Sequence, residues 1–214
     1  MRVAGGIVLV AGLLLTPLQG AGQAPPSLPS DTTPPLERAL ELLGGEDPLE
    51  ARAPLLEAVP QESGLRRTAL LHLVSVLDRV EGPARGHVAR AFLLSEEGAP
   101  EEAHEALMGS LDEVRDEDRV AVLALAAFVA DGFDPARAEE HRSWIVEERP
   151  EALEAPEAAL LLARYRAPRM SLLEETAEHV AEVLTQRPDH PMAPELRREL
   201  ERIQRLLQDS GGGR

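Results

Sequence analysis

Residues 140–157, EHRSWIVEERPEALEAPE, and residues 178–195, EHVAEVLTQRPDHPMAPE, align without a gap at a shift of 38 and share seven of eighteen positions. The identities are Glu140/Glu178, His141/His179, Arg149/Arg187, Pro150/Pro188, Ala155/Ala193, Pro156/Pro194 and Glu157/Glu195. Roughly two matches are expected by chance from so biased a composition, so the stretch reads as an internal duplication. Each copy carries apolar residues at three- and four-residue spacing, closes on Arg-Pro and restarts near Ala-Pro-Glu. That pattern is a helix, a short turn and a second helix. One such unit cannot bury its apolar face alone, whereas stacked units share a continuous core.

The helical period extends outward from the duplication. Leu36, Leu40 and Leu43 form a short segment closed by Gly44 and Gly45, and Asp47 before Pro48 has the form of an N-cap with Pro at the first helical position. Leu65, Leu70, Leu71, Val74 and Leu77 make the next apolar stripe, stopped by Gly82. Pro83 opens another that runs to Gly98. Further helices are expected over 99–114, 118–130, 134–148, 155–166, 168–186 and 191–208. The run VAVLALAAFVA within 118–130 should be buried on most sides. About ten short helices with tight connections predict an all-α fold of antiparallel helix pairs, folded over residues 36–208, with a fraying tail at 209–214.

Composition narrows the function classes. The apolar residues are mainly Ala, Leu and Val, with three Phe, one Trp and one Tyr, which leaves too few aromatics for a β core. Arg supplies all 22 basic charges, and Lys, Asn and Cys are absent. Without Cys there is no disulfide, thiolate metal site, Cys nucleophile or lipid-modified cysteine. The net charge of −16 argues against nucleic acid as a partner and favours a basic one, although it also serves solubility.

Residues 1–24 begin with Arg2, run through an apolar stretch from Ile7 to Leu15 and end among small residues, in the order of a secretory signal peptide. An uncleaved N-terminal anchor is the alternative, and it would be the only membrane attachment. The apolar run is shorter than the ~20 residues that a spanning helix needs. Residues 25–35, PPSLPSDTTPP, suit an extended linker. On either reading the remainder faces outside the cytoplasm, in the periplasm or beyond the cell.

The runs EEAHEALMGSL from Glu101 and AEEHRSWIVEERP from Ala138 resemble second helices of tetratricopeptide repeats, in which a small residue precedes the closing Pro by twelve positions. Ala138 stands so to Pro150, and Thr176 to Pro188. The segment PDHPMAPEL from Pro188 is similar to one common in tetratricopeptide proteins of the bacterial cell envelope. The resemblance covers about residues 98–207, but the first helices lack the usual Trp-x-x-Leu-Gly-x-x-Tyr pattern. It implies a stacked α-solenoid with a groove for proteins or peptides, and it implies no catalysis.

No zinc-protease, phosphate-loop, dinucleotide-binding or nucleophile-elbow motif is present. The Glu101–His104 spacing occurs in di-metal bundles, but Ala138 stands where the second copy would need Glu, so neither metal nor cofactor is expected. Trp144 and Tyr165 are the candidate anchors for a partner. His141 and His179, at equivalent repeat positions, could point toward one groove and give pH-tunable contacts; inherited packing by duplication is the simpler account. Asp189 and His190 read as turn residues, and Met108, Met170 and Met192 as core fillers. The leading expectation is an exported scaffold or adaptor. Self-association as a helical spacer, and an accessory domain of an enzyme, are the other classes.

Overall fold

The computed structural model describes residues 33–211, and the signal-like segment with most of the Pro-rich linker lies outside them. The described residues are all-helical. Ten α-helices follow one another: α1 Pro35–Leu43, α2 Arg52–Ala58, α3 Gly64–Arg79, α4 Pro83–Glu96, α5 Pro100–Ser110, α6 Arg119–Asp131, α7 Pro135–Glu148, α8 Ala155–Arg166, α9 Leu173–Gln186 and α10 Ala193–Gly211. Short 3-10 turns at Pro48–Ala51, Val59–Gln61, Leu111–Glu113 and Met170–Leu172 join some of them. No described helix is long and apolar enough to cross a membrane.

Local chemistry sets the ends. Asp47 accepts a hydrogen bond from the Leu49 amide, but the helix it starts is a 3-10 turn that leads into α2. Asp134 accepts from the Ala136 and Arg137 amides and Pro135 occupies the first position of α7, so cap and proline act together there. Gly98 adopts φ 86° between α4 and α5, a conformation costly for any residue with a Cβ. The helix expected over 99–114 breaks at Ser110 into a 3-10 turn, and α10 continues past Gln208 to Gly211.

The duplicated units are in structural register. α7 and α9 begin at Pro135 and Leu173, and α8 and α10 at Ala155 and Ala193, each pair 38 residues apart. Arg149 and Arg187 close α7 and α9 with nearly the same backbone, φ −141° ψ 52° and φ −131° ψ 56°. The following prolines exclude the helical region for both. Ala138 and Thr176 are fully buried, as befits points of close helix approach.

Helix α4 packs on α5, α6 on α7 and α8 on α9, while α10 covers α8 and α9. The buried residues form two clusters. One draws on α1 to α6 and includes Leu55, Leu73, Leu77, Phe92, Leu107 and Leu125; the other draws on α6 to α10 and includes Ile145, Leu162, Leu173, Val183, Leu196 and Ile203. Helix α6 belongs to both, with Val122, Leu125 and Val129 in the first and Val120, Leu123 and Ala124 in the second. Its burial on most sides, expected from VAVLALAAFVA, follows from having α3, α5 and α7 all packed against it.

Candidate functional site: a cleft between α3 and α8

One face of α3 carries Thr68, Leu71, His72, Ser75 and Arg79, spaced three and four residues apart and therefore neighbours along one stripe. This stripe meets the start of α8. His72 Nε2 lies 3.1 Å from Glu157 Oε2, and Arg79 Nη1 donates to Glu154 Oε1 at 2.6 Å. Ser75 Oγ donates to the same oxygen at 3.4 Å. Arg79 also reaches Asp118 Oδ1 at 3.3 Å and the Glu117 carbonyl at 2.7 Å, so one guanidinium ties α3 to the α5–α6 connection and to α8. Behind them Arg142 clamps Asp131 with two hydrogen bonds, one of 2.7 Å from Nη1 to Oδ1 and a second from Nη2 to Oδ2.

Two hollows with shared walls result. A hollow of about 20 Å³ is lined mainly by apolar side chains, Phe128, Ile145 and Leu161 among them, with His72, Arg142, Glu154 and Glu157 as polar members. A more open cleft of about 180 Å³ shares His72, Glu154 and Glu157 with it and adds Leu71, Leu153, His190 and Met192 as walls. Leu71 and Leu153 are 46% and 54% exposed. Glu154 is only 5% exposed, and its Oε2 is buried yet accepts no hydrogen bond from any described residue. Burial pushes the Glu157 carboxyl up, but the hydrogen bond and charge of His72, with Arg142 and His190 beyond, bring it below its usual range. The Met192 amide donates to His190 Nδ1, and burial lowers the His190 pKa.

Ser75 bonds Glu154 and His72 bonds Glu157, so the hydroxyl–imidazole contact that activates a serine nucleophile is not formed. Glu147, Glu175 and His179 hold potential ligand atoms within 4.8 Å of one another. Both glutamates there are exposed, Glu175 accepts from Arg166 at 2.8 Å, and His179 Nδ1 is buried with no hydrogen-bond partner among the described residues.

The residues singled out from sequence lie elsewhere. Trp144 on α7 is 36% exposed and Tyr165 on α8 is 41% exposed, the latter under the Arg169 guanidinium at 4.5 Å from the ring centre. Neither lines the cleft. The two repeat histidines face different neighbours: His179 faces Glu147 and Glu175, whereas His141 is hydrogen-bonded to buried His104. Leu71, part of the apolar stripe expected on α3, is an exposed wall of the cleft, and Met170, read as a core filler, is 44% exposed. Sequence reasoning missed His72, Glu154 and Glu157 as a set. The polar stripe Thr68–His72–Ser75–Arg79 was a signal for one half of it; the other half depends on which helix α3 meets.

The His104–His141 pair has its own consequence. Nε2 to Nε2 is 2.8 Å and the ring centres are 5.1 Å apart at an interplanar angle of 22°, so the rings meet end to end and one N–H donates to the other ring; Phe133 meets His104 edge-on at 5.7 Å. Burial, the partner histidine and the Arg137 and Arg142 charges lower the His141 pKa from the ordinary 6.5 to about 4. His104 is lowered by burial and Arg137, against opposing contributions from Asp134 and Glu105. The unfolded chain therefore binds protons that the folded one refuses. The pair's contribution is complete above about pH 6.5 and falls away as pH drops toward about 4. The loss should be about 2 kcal/mol for His141 once solvent screening is allowed for. Urea unfolding of wild type and His141→Phe at pH 7.5 and pH 5 checks this: the variant should lose less stability between the two pH values, and parallel losses would refute the assignment.

Comparison with known protein families, characterised proteins and solved structures finds no match to this chain.

Proposed function

We propose that this protein is an exported, non-catalytic scaffold whose antiparallel helix pairs stack as a tetratricopeptide-like array and hold a protein or peptide partner in the cleft between α3 and α8. The cleft itself carries the proposal: exposed leucine walls stand over a floor of buried, partly unsatisfied carboxylate, the combination of apolar surface and few convergent polar groups typical of recognition sites. The matched register of α7–α8 and α9–α10 supports a repeat architecture, and the charge of −16 supports a basic partner. Export is inferred from the order of charge, apolar run and small residues in 1–24.

Selection of peptides from a random display library against the full chain tests the reading. Micromolar binders are expected, and the double variant Leu71→Asp, Leu153→Asp should weaken them at least about tenfold with unchanged circular dichroism. Loss in Trp144→Ala, Tyr165→Ala with no loss in the leucine variant would transfer the site to the exposed aromatics. If no peptide binds below about 100 μM, the scaffold reading fails.

A further inference from the structure

We propose that Glu147, Glu175 and His179 bind a divalent metal ion of the zinc class at the joint between the two copies of the duplicated helix. Glu175 and His179 stand four residues apart on α9 and share one face of it, and Glu147 faces them from the neighbouring α7. One ligand atom from each lies within 4.8 Å of the other two. A zinc ion with ligands at about 2.0–2.2 Å gathers its ligand atoms to about 3–4 Å of one another. Rotation of the exposed Glu147 side chain supplies the remaining closure.

Acidic side chains crowd many helical surfaces, and the imidazole is what singles this group out. Every other histidine is engaged: His72 by Glu157, His87 by Glu113, His104 by His141, and His190 by the Met192 amide. His179 faces two carboxylates yet makes no hydrogen bond with any described residue. Of its two ring nitrogens only Nδ1 is sealed from solvent without a partner, so Nε2 is the nitrogen open to an arriving ion. Glu175 is oriented from behind: its Oε1 accepts from Arg166 Nη1 on α8 at 2.8 Å, which leaves Oε2 for the metal, and outer hydrogen bonds of this kind fix ligating carboxylates. Helix α9 carries four glutamates and no arginine, a charge balance that concentrates cations there. The set is no by-product of the repeat, because the positions on α7 equivalent to Glu175 and His179 are Arg137 and His141, a cation and a ring already bonded to His104. An imidazole beside two carboxylates favours zinc and its neighbours over magnesium and calcium, which take oxygen ligands. No motif announces the site, since its third ligand comes from another helix. It goes beyond partner binding and does not depend on it.

The test is isothermal titration calorimetry of the full chain with zinc chloride at pH 7.5. One ion per chain is expected, with a Kd on the order of 10 μM, and no saturable heat from magnesium or calcium chloride at the same concentrations. Glu147→Gln and His179→Gln should each weaken zinc binding at least about tenfold with unchanged circular dichroism. His87→Gln, which removes the exposed imidazole beside Glu113, should leave it unchanged. If His179→Gln loses helix, Glu147→Gln decides alone, because it alters an exposed side chain only. Weak zinc binding at several places that neither site variant alters overturns the inference. Equal affinity for magnesium does the same, as does binding that His87→Gln removes and Glu147→Gln keeps.

Discussion

Replacing Arg166 with alanine should cost about 3 kcal/mol, among the largest losses available to any charged side chain of this fold. Arg166 is 7% exposed and gathers three helices: Nε donates to Glu139 Oε1 at 2.7 Å and Nη2 to Ser143 Oγ at 2.7 Å on α7, and Nη1 to Glu175 Oε1 at 2.8 Å on α9. Burial pushes the Glu139 carboxyl up, but the hydrogen bonds and charges of Arg166 and Arg169 hold it below its usual range. Truncation leaves that carboxylate, with a side chain only 14% exposed, to Arg169 alone. Breaking a buried pair from one side costs about 3–5 kcal/mol, and the lower figure applies because Glu175 is half exposed. A fall in Tm of about 8 °C follows for a chain of this size. The control is Arg38→Ala, which removes the exposed pair with Glu57 and should cost less than about 1 kcal/mol. Equal effects of the two variants in calorimetry would refute the reading.

Leu125→Ala should cost about 3–4 kcal/mol, and its second effect is the more informative. The side chain is fully buried in α6, so the transfer and cavity costs both apply. Leu125 belongs to the core built from α1 to α6, whereas the sole tryptophan, Trp144, stands on α7 and reports on the other half. Because α6 contributes one face to each core, the halves should unfold together. Denaturant curves followed by tryptophan fluorescence and by helical circular dichroism should therefore shift by the same amount. If the dichroism shifts while Trp144 keeps its wild-type midpoint, α6 does not couple the two cores.

Much of the helix pattern could be read from the chain because local signals decide it. Pro83, Pro100 and Pro135 open α4, α5 and α7; Gly44, Gly82 and Gly98 stand at helix ends; Arg-Pro closes both duplicated first helices. Boundaries slipped where the competing signal was weak. Ser110, whose hydroxyl donates to the Leu107 carbonyl at 2.7 Å, turns the end of α5 into a 3-10 turn, and α9 begins at Leu173 after a 3-10 turn that no glycine or cap announces.

Side-chain roles were less legible than helix positions. On α3 the leucines at 70, 71, 73 and 77 look alike in the sequence, yet only Leu71 faces solvent, because the packing of α2, α4 and α6 around α3 takes the other directions. His141 was visible as a repeated residue, but that its hydrogen-bond partner is His104, 37 residues away on α5, was not.

By itself the sequence determined the helical class, the duplicated unit, most helix starts and the absence of disulfide chemistry, since each depends on the periodicity, capping residues or composition of a continuous stretch. Only the tertiary structure decided that α3 lies against α6 and the start of α8. That placement brings His72 and Arg79 to Glu157 and Glu154, 75 residues or more away, and a contact across such a separation depends on how helices pack and on nothing within either segment.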